Sequence, residues 1–331
     1  MQPWGLLLMR ILVTGGAGFI GSHLVDALMH SGTDVRILDN LSSGSLANIQ
    51  QWLHNKKLTY IHGDLLNPTD IQKAVKNCEA VYHMAANPEV RVGSTKPDIH
   101  FQQNIVATYN LLEAIKKADV KVFMFASSST VYGEATTIPT PEEYAPLRPI
   151  SIYGASKLAC EALITAYASN YGFKAVIYRL ANIIGPRGKH GVIHDFIQKL
   201  KNNPKQLEIL GDGTQNKSYL YISDCIEAMF TGLEKSVNPI EIYNIGSDDQ
   251  TDVKTIAQIV IEELGLKDVK LNFSGGVEGG RGWMGDVKNM LLDVRKLKSL
   301  GWSPRFSSEQ AIRRAARDLI TEFWNCKIAP T

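Results

Sequence analysis

Directly after an apolar run at 11–13 the chain reads Gly15-Gly16-Ala17-Gly18-Phe19-Ile20-Gly21, followed by Leu24, Val25 and Leu28 on one helical face. A G-x-x-G-x-x-G turn between a strand and a helix leaves few folds open. Glycines let the backbone approach a diphosphate, and the helix start offers unpaired N–H groups and the positive end of a dipole. Asp39 ends the next strand-like run, 24 residues after Gly15. An acid there accepts both ribose hydroxyls of a dinucleotide and repels a 2′-phosphate, which favours NAD over NADP.

Strand-like runs recur at 11–14, 35–38, 58–62, 80–84, 122–126 and 175–180, with helical stretches between them. This rhythm predicts an α/β fold around a doubly wound parallel sheet. After 185 the regularity loosens. A helix is expected at 192–200, then a hairpin-like excursion of 207–210 and 219–222 around Gly211-Asp212-Gly213. An amphipathic helix is expected over 252–264, with Thr251 as its cap and Gly265 as its stop. The organisation expected is a dinucleotide-binding unit of 1–182 plus about 217–250. A smaller, interwoven C-terminal substrate-binding unit takes about 183–216 plus 251–331.

Lys and Arg number 35 against 33 acids, a net charge of +2, which does not mark nucleic acid or a membrane surface as partner. The stretch 6–8 is too short to span a bilayer and has no cleavage site, and the first eight residues are expected to be dispensable. Cys78, Cys160, Cys225 and Cys326 form no C-x-x-C and read as reduced thiols of a cytoplasmic protein.

Chemistry concentrates in Tyr153-Gly154-Ala155-Ser156-Lys157. Residues four apart share a helical face, which sets the Lys157 ammonium beside the Tyr153 phenol. A tyrosine must fall roughly 3 units from its usual pKa of about 10, or about 4 kcal/mol, to act as a base near pH 7. Upstream, the fifth strand ends in Ser127-Ser128-Ser129-Thr130, which puts hydroxyls at the carboxyl edge of the sheet, where such folds bind ligands.

Taken together, these segments resemble the extended short-chain dehydrogenase/reductases, in particular the NAD-dependent nucleotide-sugar epimerases. The likeness runs through the glycine loop, Leu38-Asp39-Asn40, Gly63-Asp64-Leu65, His83-Met84-Ala85-Ala86, Phe125 to Gly133, Tyr153/Lys157 and Arg179-Leu180-Ala181-Asn182. It implies a Rossmann sheet with Tyr153 as base. Lys157 would hold the nicotinamide ribose and lower the tyrosine pKa, and Ser128 would bond the sugar O4. It further implies cofactor contacts from Gly15, Gly18, Phe19, Ile20, Gly21, Asp39, Asn40, Ser43, Gly44, Asp64, Leu65, Met84, Ala85, Ala86 and Asn104. Nucleotide-sugar contacts would come from Asn182, Lys217, Tyr219, Arg281 and Asp286, with Met290 at the gate beside the sugar C2. Lys217 stands where the family usually has arginine, and the spacing from Arg281 to Asp286 is longer than usual. Either cation therefore reads equally as a diphosphate ligand or a solvated charge. A homodimer through helices at 104–117 and 153–170 is implied as well.

The activity implied is 4-epimerisation of a UDP-hexose through a 4-keto intermediate. The alternatives are a dehydratase or UDP-uronate epimerase of the same fold, or a non-catalytic dinucleotide sensor. Ser129-Thr130 stands where dehydratases carry Asp-Glu. His190 and His194 have zinc-compatible spacing but no adjacent glutamate or third ligand, so no metal is expected. Arg91 and Arg187 would suit a sugar carboxylate, yet loop arginines are commonly paired at a rim.

Overall fold

The computed structural model describes residues 10–323, so the first eight residues and Cys326 lie outside it. Six strands follow the expected rhythm: β1 Arg10–Thr14, β2 Asp34–Asp39, β3 Leu58–His62, β4 Ala80–His83, β5 Val122–Ser128 and β6 Lys174–Leu180. All join one seven-stranded parallel sheet, ordered Ile240–Ile245, β6, β5, β4, β1, β2, β3.

The first strand shows why its sequence is an unbroken apolar run. Ile11 and Val13 pack into one core with Leu24, Val25 and Leu28 of helix α1 (Phe19–His30). Leu12, pointing the other way, packs with Ile71, Leu111, Leu112 and Ile164. A strand covered on both faces has no side that gains from polar residues. Because β1 has β2 on one side and β4 on the other, strand order reverses between β1 and β4. The carboxyl ends flanking that reversal are where open sheets of this kind bind ligands.

The expected hairpin does not form. Gln206–Ile209 pairs in parallel with Lys270–Phe273, and Tyr219–Tyr221 pairs in parallel with Asn182–Ile184. Between them Gly211 and Gly213 adopt positive φ, and Asn216–Lys217 pairs with both Thr251–Asp252 and Asn289–Met290. Each arm buries its apolar residues against a different neighbour, which sends them apart. The helix expected at 252–264 is Val253–Glu263, but its cap is Asp252, whose carboxylate accepts the Thr255 N–H at 2.7 Å. Thr251 is the strand residue before it. Cys78, Cys160 and Cys225 are buried free thiols, and among the described residues no helix is long and apolar enough to cross a membrane.

Candidate active site

A cavity of about 550 Å3 opens over the carboxyl ends of the strands and runs from the glycine loop to Asp286 and Met290. At one end the loop is closed so tightly that side chains have no room. A Cβ on Gly15 would stand 2.7 Å from the Ala85 amide nitrogen, and one on Gly21 only 2.1 Å from the Gly15 carbonyl oxygen. Gly18 begins α1 with no side-chain cap, and the first turn carries no acid, so the N–H groups there remain available to an anion.

Asp39 is buried on the same wall. Its two oxygens accept the backbone N–H groups of Ala17 (2.9 Å) and Leu41 (2.8 Å), which ties the loop to the end of β2 and leaves lone pairs for further donors. Phe19, Ile20, Asn40, Ser43, Asp64, Leu65, Met84, Ala85 and Ala86 line this end too. Asp64 also accepts from Asn40 Nδ2 (2.8 Å) and from the Leu66 N–H, so its turn role and its place on the wall coexist. These features fit a dinucleotide whose diphosphate rests on α1 and whose ribose meets Asp39.

Gly44, Asn104 and Lys157, all expected to contact the cofactor, do not line the cavity. Gly44 lies behind the wall, where a Cβ would come within 3.0 Å of the Ala17 carbonyl oxygen. Asn104 is buried beneath the cavity. Its Oδ1 accepts the Asn87 N–H at 2.8 Å and its Nδ2 donates to Ser156 Oγ at 2.9 Å, so it supports the wall instead of facing it. Its polarity is spent on the Asn87 backbone and the Ser156 hydroxyl, partners that the motif alone does not reveal.

Midway along the cavity lie Ser128 and Tyr153. Tyr153 sits in the first turn of helix Ile152–Tyr171, capped by Ser151 Oγ accepting the Gly154 N–H at 3.0 Å. Burial pushes the Tyr153 phenol up to about 12, and a hydrogen bond with Ser128 pulls in the opposite direction. Ser128 Oγ accepts from Thr130 N and Thr130 Oγ1 (3.2 and 2.9 Å).

Lys157 is fully enclosed one helical turn on. Its ammonium donates to the Ala126 carbonyl at 2.7 Å and lies 4.8 Å from the Phe125 ring centroid and 5.8 Å from that of Tyr153. Burial lowers it to about 8. The expected lowering of the tyrosine is thus not a property of the protein groups alone, because desolvation outweighs them.

The far end holds Asn182, Lys217, Tyr219, Asp286 and Met290. Asn182 Nδ2 donates to the Ser218 carbonyl at 3.0 Å, and Lys217 donates to Asp286 Oδ1 at 2.5 Å. Arg281 is not on the wall. Its Nη2 bonds Glu134 at 2.9 Å and its Nη1 donates to the Glu278 carbonyl at 2.8 Å. The longer spacing to Asp286 carries it outward.

The sequence reading passed over Trp283, which lines the cavity with Arg91 and Lys217 each 5.5 Å from its ring centroid. Only its place in the Arg281–Asp286 segment hinted at it. Arg91 is paired with Glu89 (3.2 Å), and Arg187 with Asp26 (2.8 Å), as rim arginines commonly are. His190 and His194 approach Glu89 and Asp195, respectively, each at 3.9 Å.

The chain and its fold are similar to known proteins. The family model described as "NAD dependent epimerase/dehydratase family" matches residues 11–246. A putative UDP-glucose 4-epimerase of Methanocaldococcus jannaschii is 37% identical over 311 residues, covering 92% of this chain and 96% of that one. A crystal structure of a UDP-galactose 4-epimerase superposes with a TM-score of 0.85 at 45% identity, covering 96% of this chain and all of the other. The UDP-glucose 4-epimerase of Thermus thermophilus, solved as a complex with NAD, gives a TM-score of 0.82 at 32% identity over 94% of this chain and 99% of that one. With the dinucleotide end and Tyr153 on one cavity and Lys157 enclosed behind the tyrosine, the chain belongs to the NAD-dependent epimerase/dehydratase family.

Proposed function

We propose that the protein is an NAD-dependent 4-epimerase of a UDP-hexose, acting on UDP-glucose and UDP-galactose and accepting N-acetylated forms. One observation carries this reading. Ser128 and Tyr153 lie on a single cavity between the dinucleotide end and the Lys217/Asp286 end, with Ser129-Thr130 where a dehydratase would need its acid pair. The 4-epimerase relatives on both sequence and structure support the same choice.

NAD, when bound, takes up and returns the C4 hydride and brings a positive ring to the site. Tyr153 Oη removes the proton from the sugar O4, and Ser128 orients that hydroxyl. Lys157 supplies positive charge behind the phenol, which burial otherwise keeps protonated. Lys217, held in place by Asp286, anchors the nucleotide diphosphate end, so the 4-keto hexose can turn over and expose its other face while the nucleotide stays fixed.

In this reading the glycine-loop wall, Asp39 to Ala86, serves the dinucleotide, and Asn182, Tyr219 and Met290 serve the sugar nucleotide. The chain divides accordingly into 1–182 with about 217–250, and about 183–216 with 251–331. The enzyme works in the cytoplasm as a homodimer, supported by exposed Phe101, Tyr109, Ile152 and Tyr171 on or beside the helices Ala107–Ile115 and Ile152–Tyr171.

The test is a panel of nucleotide sugars incubated with the purified protein and read by NMR. The expected product is the 4-epimer of a UDP-hexose. Water elimination, or retained NAD with no turnover of any hexose, overturns the reading.

A further inference from the structure

Behind the cavity wall lies a buried ion pair that the reaction scheme does not use. Arg179 and Glu161 meet with Nη2 to Oε2 at 2.7 Å and Nε to both oxygens at 3.1 and 3.2 Å, their side chains only 4% and 5% exposed. Such a pair is a weak source of stability, since well-packed apolar residues often do as well or better. Its geometry accounts for its presence better than its energy does.

Three consecutive residues at the end of β5 each meet one of three side chains spaced a helical turn apart, two of them through hydrogen bonds. The Ala126 carbonyl accepts from Lys157, Ser127 Oγ donates to Glu161 Oε1, and Ser128 shares the cavity wall with Tyr153, whose phenol it draws down against burial. Tyr153, Lys157 and Glu161 stand at i, i+4 and i+8, on one face of the helix. Glu161 is itself held from behind. Arg179, the register partner of Ser127 on β6, also donates from Nη1 to Tyr132 Oη and the Glu142 carbonyl, each at 2.9 Å. Tyr132 donates to Asn244 Oδ1 at 2.7 Å, and Asn244 Nδ2 donates to the carbonyls of Thr140 and Asp293.

We infer that Glu161 is a positioning residue: through Ser127 on the strand and through its charge near Lys157, it fixes where Ser128 and the lysine ammonium stand against Tyr153. The groups facing Lys157 are Tyr153, Cys160 and Glu161 on its own helix, His83 on β4 and His100 on the segment before helix Ala107–Ile115. Glu161 is the carboxylate among them. Its negative charge opposes the burial that lowers the lysine.

This inference rests on the 4-epimerase reading for its kinetic readout alone. Ser127→Ala breaks the strand bond but leaves the ion pair, so the protein is expected to fold and retain NAD. It should lose about 10- to 100-fold in kcat, the scale of an ångström-sized misplacement, with KM little changed. Ser127→Thr, which keeps the hydroxyl, should restore most of it. Glu161→Gln should move the basic limb of the kcat pH profile to lower pH, because Lys157 loses its countercharge. Wild-type kcat in Ser127→Ala overturns the inference, and so does a loss that Ser127→Thr does not recover. If the wild type turns over no hexose, the functional reading fails by itself. Crystal structures of wild type and Ser127→Ala then decide the positioning role, and an unchanged Ser128 Oγ to Tyr153 Oη separation overturns it.

Discussion

Lys217 and Asp286, far apart in sequence, meet on the cavity wall with Nζ 2.5 Å from Oδ1, and the carboxylate side chain is 2% exposed. Lys217→Met leaves that carboxylate without its cation, a change below the roughly 3–5 kcal/mol of a fully buried pair because the lysine side chain is 16% exposed. Thermal denaturation should show a clear fall in Tm, and the KM for the UDP-hexose should rise. Arg281→Met removes a half-exposed pair with Glu134, expected to matter by about 1 kcal/mol or less, and should leave KM near wild type. A larger KM effect from Arg281 than from Lys217 would reverse this assignment.

Tyr153→Phe keeps the buried ring and removes its ionisable hydroxyl. Turnover should fall by about two to four orders of magnitude with fold and NAD retention intact, as for a missing general base. Ser128→Ala should cost less, because it removes a hydrogen bond and not the base. Steady-state kinetics with circular dichroism on the same preparations checks both.

At Asp39, calorimetry on cofactor-free protein should show NAD binding well ahead of NADP, since a 2′-phosphate would meet the carboxylate. Asp39→Ala should narrow the preference and also loosen the loop, because it releases the N–H groups of Ala17 and Leu41. Equal affinities in the wild type would refute the assignment.

Met290 lies buried on the cavity wall, in a strand paired with Lys217. A flexible thioether can fold aside for a C2 N-acetyl group, whereas tyrosine cannot. Met290→Tyr should weaken the N-acetylated substrate selectively, by about 10- to 200-fold if overpacking costs about 1–3 kcal/mol. Equal losses for plain and N-acetylated UDP-hexoses would remove Met290 from the gate.

His83 is locked between Thr14 Oγ1 (2.7 Å) and Thr108 Oγ1 (2.9 Å), and burial lowers it to about 3. The unfolded chain, near 6.5, binds a proton that the folded one refuses, so stability is lost as pH falls from about 6.5 toward 3. His83→Gln should flatten that part of a denaturant-midpoint curve against pH. An unchanged slope would mean that other groups set it.

The parallel sheet could be read from sequence because strands buried on both faces leave unbroken apolar runs, as Ile11, Leu12 and Val13 do. The second half could not, because its pairings join segments of two to four residues, such as Asn216–Lys217 with Asn289–Met290, that carry no periodicity of their own. Within the site, motifs gave residue types but not orientation. Asn104 carries the expected amide yet turns it toward Asn87 and Ser156, and Arg281 is captured by Glu134. The protonation balance of Tyr153 was illegible for a different reason, since it depends on how deeply the phenol is buried.

The strand Ile240–Ile245 takes its place beside β6 only after the chain has left the sheet at Leu180 and built Gln206–Ile209 and Tyr219–Tyr221 elsewhere. No single cut between those points leaves either fragment with a finished sheet. Modularity is thereby denied to this architecture: a new sugar preference can be grafted by exchanging wall residues, but not by swapping one terminal half for another. The molecule should melt in one cooperative step.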